Sequence, residues 1–241
     1  MIIGGLEKLT LLDYPDHLAA IIFTQGCNFR CHFCYNPMLV LPRKGGDEKN
    51  KKEKGFSPLS TEDLFLFLEE RFGRLDGVVI TGGEPTLHPD LPAFIKKIKD
   101  IGYEVKLDSN GTNPEMLKKL IKEKLIDYIA MDLKAPLDKY QETVGVDADC
   151  NNIKKSVKII MTSGLPYEFR TTVVPGLLAR DDFHKMGKTI KGAAKWYLQN
   201  FKSDTELVDT NYRKQNGYSA KEMKEFAAIG QEYVTLCRVR T

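Results

Sequence analysis

Apolar and polar residues follow two distinct patterns along this chain. Short apolar runs of roughly four to eight residues, bounded by polar or turn residues, are typical of buried parallel strands. Between these runs, apolar residues recur every three or four positions, as they do on the buried face of a helix. The short runs predict five strands, at 18–24, 77–81, 103–108, 127–132 and 167–174, and a weaker sixth strand at 205–209.

The helical pattern is clearest after Ser60. This residue is a suitable N-cap, and Asp63 three residues later makes the segment close to a capping box. Leu64 and Leu68 then begin an apolar stripe. The pattern predicts helices at 60–72, 89–101, 114–125, 151–162 and 182–201, and a final helix at 220–236 that closes the chain.

Strands that alternate with helices in this way predict a right-handed wound parallel sheet. We favour an α/β fold in the form of a partial (β/α)6 barrel with outer helices, and an open doubly wound sheet is the alternative. In both folds the functional residues lie at the carboxyl ends of the strands. We expect one domain over 1–241, with a polar inserted loop at 43–58 and a C-terminal extension at 202–241.

Composition limits the possible functions. The chain has 241 residues, of which 42% are hydrophobic and 29% charged, as in ordinary globular proteins. No apolar run approaches the ~18 residues of a membrane helix, and no secretory signal is expected. The net charge of +3 does not indicate nucleic-acid binding, and much of it lies in a basic run at 43–54. We interpret that run as a solvated loop rather than as a docking patch for an acidic partner.

Three of the five cysteines lie within eight residues, as Cys27, Cys31 and Cys34, directly after the first predicted strand. This C-x3-C-x2-C spacing does not resemble a disulfide framework, and it indicates thiolates kept for a metal in a reducing cytoplasm. Three thiolates suit a [4Fe–4S] cluster with one iron left open. A structural zinc would need a fourth ligand, for which His32 is the nearest candidate, so iron–sulfur is favoured over zinc.

The cysteine spacing, with Phe33 just before the third cysteine, resembles the signature of the radical S-adenosylmethionine (SAM) enzymes. The chain as a whole resembles the glycyl-radical enzyme activating enzymes. The segments 4–15 and 23–27 are most similar to the activating proteins of anaerobic ribonucleoside-triphosphate reductase. The resemblance covers most of the chain and weakens after Phe201.

This resemblance implies a function. A reduced [4Fe–4S] cluster on the three cysteines would cleave SAM to a 5′-deoxyadenosyl radical. The radical would remove a Cα hydrogen from a glycine in a partner glycyl radical enzyme, anaerobic ribonucleotide reductase, and the electron would come from a flavodoxin- or ferredoxin-type donor. A small-molecule radical SAM enzyme similar to deazapurine carboxylate synthase is an alternative. An iron–sulfur electron carrier or a zinc-stabilised binding module is the alternative from another class.

Polar motifs follow the later strands, and each also has a plain structural interpretation. The Gly-Gly-Glu at 82–84 could be only a tight turn, 108–112 an Asn-Gly turn, and Asp132 with Lys134 an exposed ion pair. A carboxylate beside two glycines also suits an ammonium group, because glycine lets the backbone approach a ligand closely. The resemblance implies SAM-binding roles for Phe33, Tyr35, Gly82, Gly83, Glu84, Ser109, Asn110, Asp132, Lys134 and Arg170, with Lys134 also counted as catalytic beside the cysteines.

Three assignments stay open. Arg170 could be a structural ion pair instead of a SAM contact. Asp108, Ser109 and Asp132 could together hold a monovalent cation, as in related activating enzymes. Asp13 resembles a residue near the target glycine of relatives, but its spacing to Cys27 is one residue longer here.

Overall fold

The computed structural model describes residues 1–40 and 59–240, so the predicted inserted loop and its basic run lie outside the described residues. The described strands form one sheet in the sequential order β1 to β8. β1 is antiparallel to β2, and every later strand is parallel to its neighbour. The strands are β1 (Ile3–Thr10), β2 (Ala19–Thr24), β3 (Gly77–Gly82), β4 (Glu104–Ser109), β5 (Tyr128–Asp132), β6 (Tyr167–Val173), β7 (Lys195–Asn200) and β8 (Leu236–Arg240).

Helices connect the parallel strands and cover one face of the sheet, which confirms the predicted α/β class with outer helices. The α-helices are α1 (Pro37–Val40), α2 (Thr61–Arg71), α3 (Leu91–Ile101), α4 (Pro114–Lys122), α5 (Tyr140–Val144), α6 (Cys150–Met161), α7 (Arg180–Thr189) and α8 (Ala220–Gln231). Short 3₁₀ turns lie at Pro85–Leu87, Leu137–Lys139 and Thr210–Lys214. In the described part of the chain, no helix has the length and apolar character needed to cross a bilayer.

The two faces of the sheet differ in chemistry. Ile22 and Ile80 point towards the helices and belong to the main hydrophobic core. Their neighbours Ile21 and Val79 point the other way, into the barrel, where they pack with Tyr128 in a much smaller apolar cluster. Because side chains alternate along a strand, the polar residues in register with this second set also face the barrel interior.

The sixth barrel strand lies where the sequence predicts a helix. The helix expected at 182–201 ends at Thr189, and Lys195–Asn200 forms β7 instead. Gly192, with φ of +85°, separates the two elements. Trp196 and Leu198 are buried while their neighbours are less so, which is the two-residue period of a strand. The prediction was wrong because it extended one helical pattern across this glycine.

Further elements also differ from the prediction. The weak strand expected at 205–209 is an irregular segment, and the last helix ends at Gln231 rather than 236. The chain then continues into β8, which pairs with β7. β1 was not predicted because exposed residues at Glu7–Leu9 interrupt its alternation, as is common on an edge strand.

Candidate active site

The carboxyl ends of the parallel strands border one large cavity of about 1130 Å³. Its lining includes all three clustered cysteines and reaches from them to the two edges of the sheet, at Asp13 after β1 and at Arg240 in β8. The structure therefore brings together every residue that the sequence proposes for the site. These are Cys27, Cys31, Phe33, Cys34, Tyr35, Gly82, Gly83, Glu84, Ser109, Asn110, Asp132, Lys134 and Arg170.

The cysteines lie on residues 25–36, here called the cysteine loop, which follows β2. The backbone at the end of β3 holds the start of this loop: the amide of Gly83 donates to Thr24 O at 2.9 Å, and that of Glu84 donates to Gly26 O at 2.8 Å. A Cβ added to Gly83 would lie only 1.9 Å from Gly26 O. Glycine is needed at position 83 for this close backbone contact, whatever else it binds.

Two more contacts fix the first half of the loop. The Arg30 guanidinium donates to the carbonyl oxygens of Cys27, at 2.7 Å, and of Phe29, at 2.8 Å. Asn28 accepts a hydrogen bond from the side-chain amide of Asn110 at 2.9 Å and donates to Thr112 Oγ1 at 3.0 Å. The loop around Cys27 is thereby attached to the carboxyl end of β4.

The second half of the loop contacts a segment for which the sequence suggested no function. Residues 201–212, here called the clasp, run along the loop and donate backbone hydrogen bonds to the carbonyl oxygens of His32 and Cys34. His32 faces the clasp, with its Nδ1 atom 3.3 Å from Asp209 Oδ2, and it does not line the cavity. This placement does not support His32 as a fourth zinc ligand. Within the described residues, no three His, Cys, Asp or Glu side chains converge as a single metal ion would require.

The thiols are buried, which favours their neutral form. Burial raises the pKa of Cys27 to about 11 and that of Cys31 to about 12, although the nearby Lys134 amino group opposes both shifts. Metal binding needs thiolates, so loading of this site must release protons. Three thiols that face one cavity without converging on a point suit a multi-iron cluster better than a single zinc ion, whose Zn–S distances are only ~2.3 Å.

Beside the cysteines, the ends of β4, β5 and β6 carry a chain of ion pairs, here called the strand-end network. Arg170 donates through Nε to Asp132 Oδ1 and through an Nη atom to Asp108 Oδ2, both at 2.9 Å. Lys134 donates to Asp132 Oδ2 at 2.8 Å, and Lys106 pairs with Asp108 Oδ1. Three cations and two carboxylates leave one net positive charge (3 − 2 = +1) beside the cavity.

The network keeps its members charged despite their burial. Burial alone would raise the pKa of Asp132, but Arg170 and Lys134 lower it well below its usual range. Arg170 and Lys106 likewise lower the pKa of Asp108. Arg170 therefore forms the structural ion pairs that the sequence left open, and it also lines the cavity.

The predicted monovalent cation site would use carboxylates that already have charged partners. Each oxygen of Asp108 and Asp132 already accepts from a lysine or an arginine. The third proposed ligand, Ser109, donates its hydroxyl to Glu84 at 2.9 Å. These contacts occupy one acceptor site on each carboxylate oxygen and leave others. The monovalent cation site therefore stays a prediction.

Glu84 is placed differently from the expectation of a free carboxylate that receives an ammonium group. It is only 1% exposed, and its oxygens accept from the backbone amide of Asn110 at 2.6 Å, from the Ser109 hydroxyl, and from the backbone amide and hydroxyl of Thr86. Burial raises the pKa of Glu84, although these donors oppose the shift. The side chain thus ties the end of β3 to the end of β4, and the Gly82–Gly83 backbone remains beside the cavity.

Two groups of residues in this site were not predicted from the sequence. Lys106 is two residues before Asp108 and hence on the same face of β4, so the two-residue period could have indicated it. The clasp carries no comparable signal, because its contacts with the loop join residues far apart in sequence.

The fold and the three-cysteine loop define a class of protein, and comparison with known families agrees. Residues 21–187 match the family model of the radical SAM superfamily, so the chain belongs to that superfamily. A relative from Methanocaldococcus jannaschii, provisionally named a glycyl-radical enzyme activating enzyme, is 34% identical over 245 residues, covering all of this chain and 96% of the relative. Within the superfamily, the chain therefore belongs to the glycyl-radical enzyme activating enzymes.

More distant relatives agree with this assignment. The pyruvate formate-lyase-activating enzyme of Streptococcus mutans is 27% identical over 202 residues, covering 79% of this chain and 72% of that protein. Among solved structures, a domain of the pyruvate-formate lyase-activating enzyme from Bacteroides vulgatus has a TM-score of 0.54 at 17% identity, covering 68% of this chain and 99% of that chain. Streptococcus suis SuiB, bound to its precursor peptide, has a TM-score of 0.60 at 15% identity, covering 92% and 48%. These two structures show the shared fold.

Membership of the superfamily implies a [4Fe–4S] cluster and SAM as cofactors. The residues present fit both groups. Three thiols, with no fourth ligand among residues 1–40 and 59–240, suit a cluster with one open iron. The strand-end network offers fixed positive charge in the same cavity.

Proposed function

We propose that this protein activates a partner glycyl radical enzyme by removing a hydrogen atom from the Cα of a glycine, with SAM as the co-substrate. The observation that carries the proposal is the cavity, which holds the three thiols and the strand-end network and also extends to both edges of the sheet. When bound, the cluster supplies the electron that cleaves SAM to a 5′-deoxyadenosyl radical.

The residues of the chain bind and orient these groups. Cys27, Cys31 and Cys34 would hold the cluster. Lys134 and Arg170 present buried positive charge that suits the carboxylate of SAM, and Asp132 fixes the orientation of both. The backbone at Gly82 and Gly83 and the polar side chain of Asn110 supply further contacts at the ends of β3 and β4. Phe33 lies with its ring centroid 6.0 Å from Lys134 Nζ, a cation–π distance that helps to place the amino group.

The mouth of the cavity suits a protein substrate. At the sheet edge beside the mouth, Leu11 is 66% exposed and Leu12 is 82% exposed. Exposed apolar side chains grouped at a site are typical of contact with another protein. An extended segment that carries the target glycine would reach the cavity here, next to Asp13.

The partner and the electron donor are proposed from the sequence resemblance. We propose anaerobic ribonucleoside-triphosphate reductase as the partner, because segments 4–15 and 23–27 resemble its activating proteins. A flavodoxin- or ferredoxin-type protein would supply the electron. We also propose that the protein acts in the cytoplasm, because the three thiols must stay reduced to hold a cluster.

The test is an anaerobic assay of the protein reconstituted with iron and sulfide, then reduced and mixed with SAM and anaerobic ribonucleotide reductase. We expect 5′-deoxyadenosine together with a glycyl radical signal in the electron paramagnetic resonance (EPR) spectrum of the reductase, and neither with Cys31→Ala. The same assay with pyruvate formate-lyase tests the choice of partner. Production of 5′-deoxyadenosine without a radical on either protein would favour a small-molecule substrate. Uptake of zinc without any cluster would contradict the proposal altogether.

A further inference from the structure

The clasp holds the half of the cysteine loop that carries the second and third cluster ligands. It begins where β7 ends, and its backbone runs beside the loop. The Val208 amide donates to Cys34 O at 3.2 Å, and the Asp209 amide donates to His32 O at 3.1 Å. These bonds fix the main chain of Cys34 itself and of the residue that follows Cys31.

Side chains reinforce the backbone contacts at both ends of the clasp. The Tyr35 ring stacks on Phe201 with centroids 6.2 Å apart, and the Tyr35 hydroxyl accepts from the Lys202 amide at 2.9 Å. The His32 ring stacks on Tyr212 at 5.8 Å, and Tyr212 in turn meets Phe201 edge to face. Three aromatic rings and one imidazole therefore join the clasp to the loop.

Asp209 connects the two sets of contacts. One carboxylate oxygen accepts from the Asn211 amide at 2.9 Å and so caps the 3₁₀ turn that carries Tyr212. The other lies 3.3 Å from His32 Nδ1. A single side chain thus positions Tyr212 and His32 relative to each other.

The clasp matters because the loop around Cys31 and Cys34 has little regular structure of its own. Irregular loops open locally at a smaller free-energy cost than strands or core helices. The end of β3 anchors Gly26, and Arg30 anchors Cys27, but these contacts lie on the amino-terminal side of the loop. The partners that hold a ligand in place strongly affect how well a metal site retains its metal.

We propose that the clasp is a positioning element for the cluster, in which Asp209 and Tyr212 keep Cys31 and Cys34 in place and slow the loss of iron. Neither side chain lines the cavity, so both act through the loop. The inference concerns cluster retention and stands whether or not the partner is a glycyl radical enzyme.

The experiment compares the rate of iron loss in reconstituted protein under excess EDTA without oxygen, followed through the visible absorbance of the cluster. We expect Asp209→Asn and Tyr212→Leu each to lose iron about fivefold faster than the unchanged protein, the effect of losing one stabilising contact on local opening. Asp209→Glu, which retains the carboxylate, should restore most of the retention. Two matched controls away from the loop should behave as the unchanged protein: Asp138→Asn, which removes an exposed pair with Lys185, and Tyr233→Leu, which removes a tyrosine–histidine contact.

Two measurements separate positioning from general stability. The thermal unfolding midpoint of the cluster-free variants should stay close to that of the unchanged protein, while the EPR spectrum of the reduced cluster changes in the clasp variants. Iron loss at the unchanged rate in both variants would overturn the proposal. It would also be overturned if Asp209→Asn lost iron faster only in proportion to a lower unfolding midpoint. A stable cluster that never yields a glycyl radical would count against the proposed function and leave this inference intact.

Discussion

The strand-end network and the cysteine loop line the same cavity, but they are held in place by different means. The network is built on neighbouring parallel strands, where the register places Asp132 beside Arg170 and Asp108 one strand away. The loop has no strand register and depends on contacts from the end of β3 and from the clasp. We therefore expect substitutions in the cysteine loop to affect retention of the cluster, and substitutions in the strand-end network to affect SAM binding.

The largest effect is expected at a cluster ligand. Cys31→Ala removes one of three thiolates, so the cluster should not assemble, and SAM-dependent formation of 5′-deoxyadenosine should fall below detection. Iron content and product analysis on the same sample measure both effects. As the control, Cys150→Ala changes a cysteine outside the cavity and should leave iron content unchanged. Normal activity in Cys31→Ala would exclude it as a ligand.

A smaller but still large effect is expected at the contact between β3 and the loop. In Gly83→Ala the added methyl group would lie 1.9 Å from Gly26 O, so the loop must move. We expect several-fold lower iron content after reconstitution, and about 1–3 kcal/mol lower stability, the usual cost of overpacking. Gly73→Ala is a control for the close contact: its added Cβ meets nothing within 4 Å, although its φ of +75° makes alanine unfavourable there for a reason that does not apply at Gly83. Equal iron content in the two variants would show that the close contact at Gly83 does not affect cluster binding.

Within the network, Lys106→Met should weaken SAM binding while leaving the cluster in place. Lys106 is only 1% exposed and pairs with Asp108, so its removal leaves Asp108 to Arg170 and weakens the hold of Arg170 on Asp132. We expect the SAM dissociation constant to rise about tenfold, the equivalent of ~1.4 kcal/mol. Titration calorimetry with SAM measures the change. An unchanged affinity would indicate that Lys106 serves only to neutralise Asp108.

The pH dependence of stability should distinguish the two regions in cluster-free protein. Burial raises the pKa of Cys27 and Cys31, so between pH ~9 and ~11 the folded protein binds more protons than the unfolded chain, and stability falls as pH rises. The lowered pKa of Asp132 acts at acid pH. The stability that this carboxylate contributes is present above pH ~4 and is lost as the pH falls below ~4. Denaturant unfolding across this range measures both effects.

Reconstitution should change only one of these two limits. Thiolates in a cluster are already deprotonated, so the part of the alkaline loss that comes from Cys27 and Cys31 should disappear in the loaded protein. The part from Cys237, whose pKa burial also raises to about 12, should remain. The loss of stability at acid pH should persist, because it comes from Asp132 in the strand-end network. An alkaline loss of equal size with and without the cluster would contradict the assignment of that limb to the thiols.

The sequence predicted those parts of the site that depend on local pattern. Buried strands ending at Asp108 and Asp132 placed both carboxylates at one edge of the sheet, and the spacing of the cysteines was enough to indicate a cluster. The sequence pattern did not reveal β7. Its residues, which include Trp196 and Tyr197, resemble in composition those of the amphipathic helix before them, so one long helix was predicted. The bonding of Glu84 to Ser109 and Asn110 was also hidden, because it depends on how two neighbouring loops meet.

The division between loop and network is tested most directly in Asp132→Asn. This variant keeps the size of the side chain but removes the charge that orients Lys134 and Arg170. Iron content and SAM affinity should be measured on the same reconstituted sample, beside the unchanged protein. We expect unchanged iron content and a SAM dissociation constant that is raised at least about tenfold. Loss of the cluster with SAM affinity unchanged per remaining cluster would contradict it.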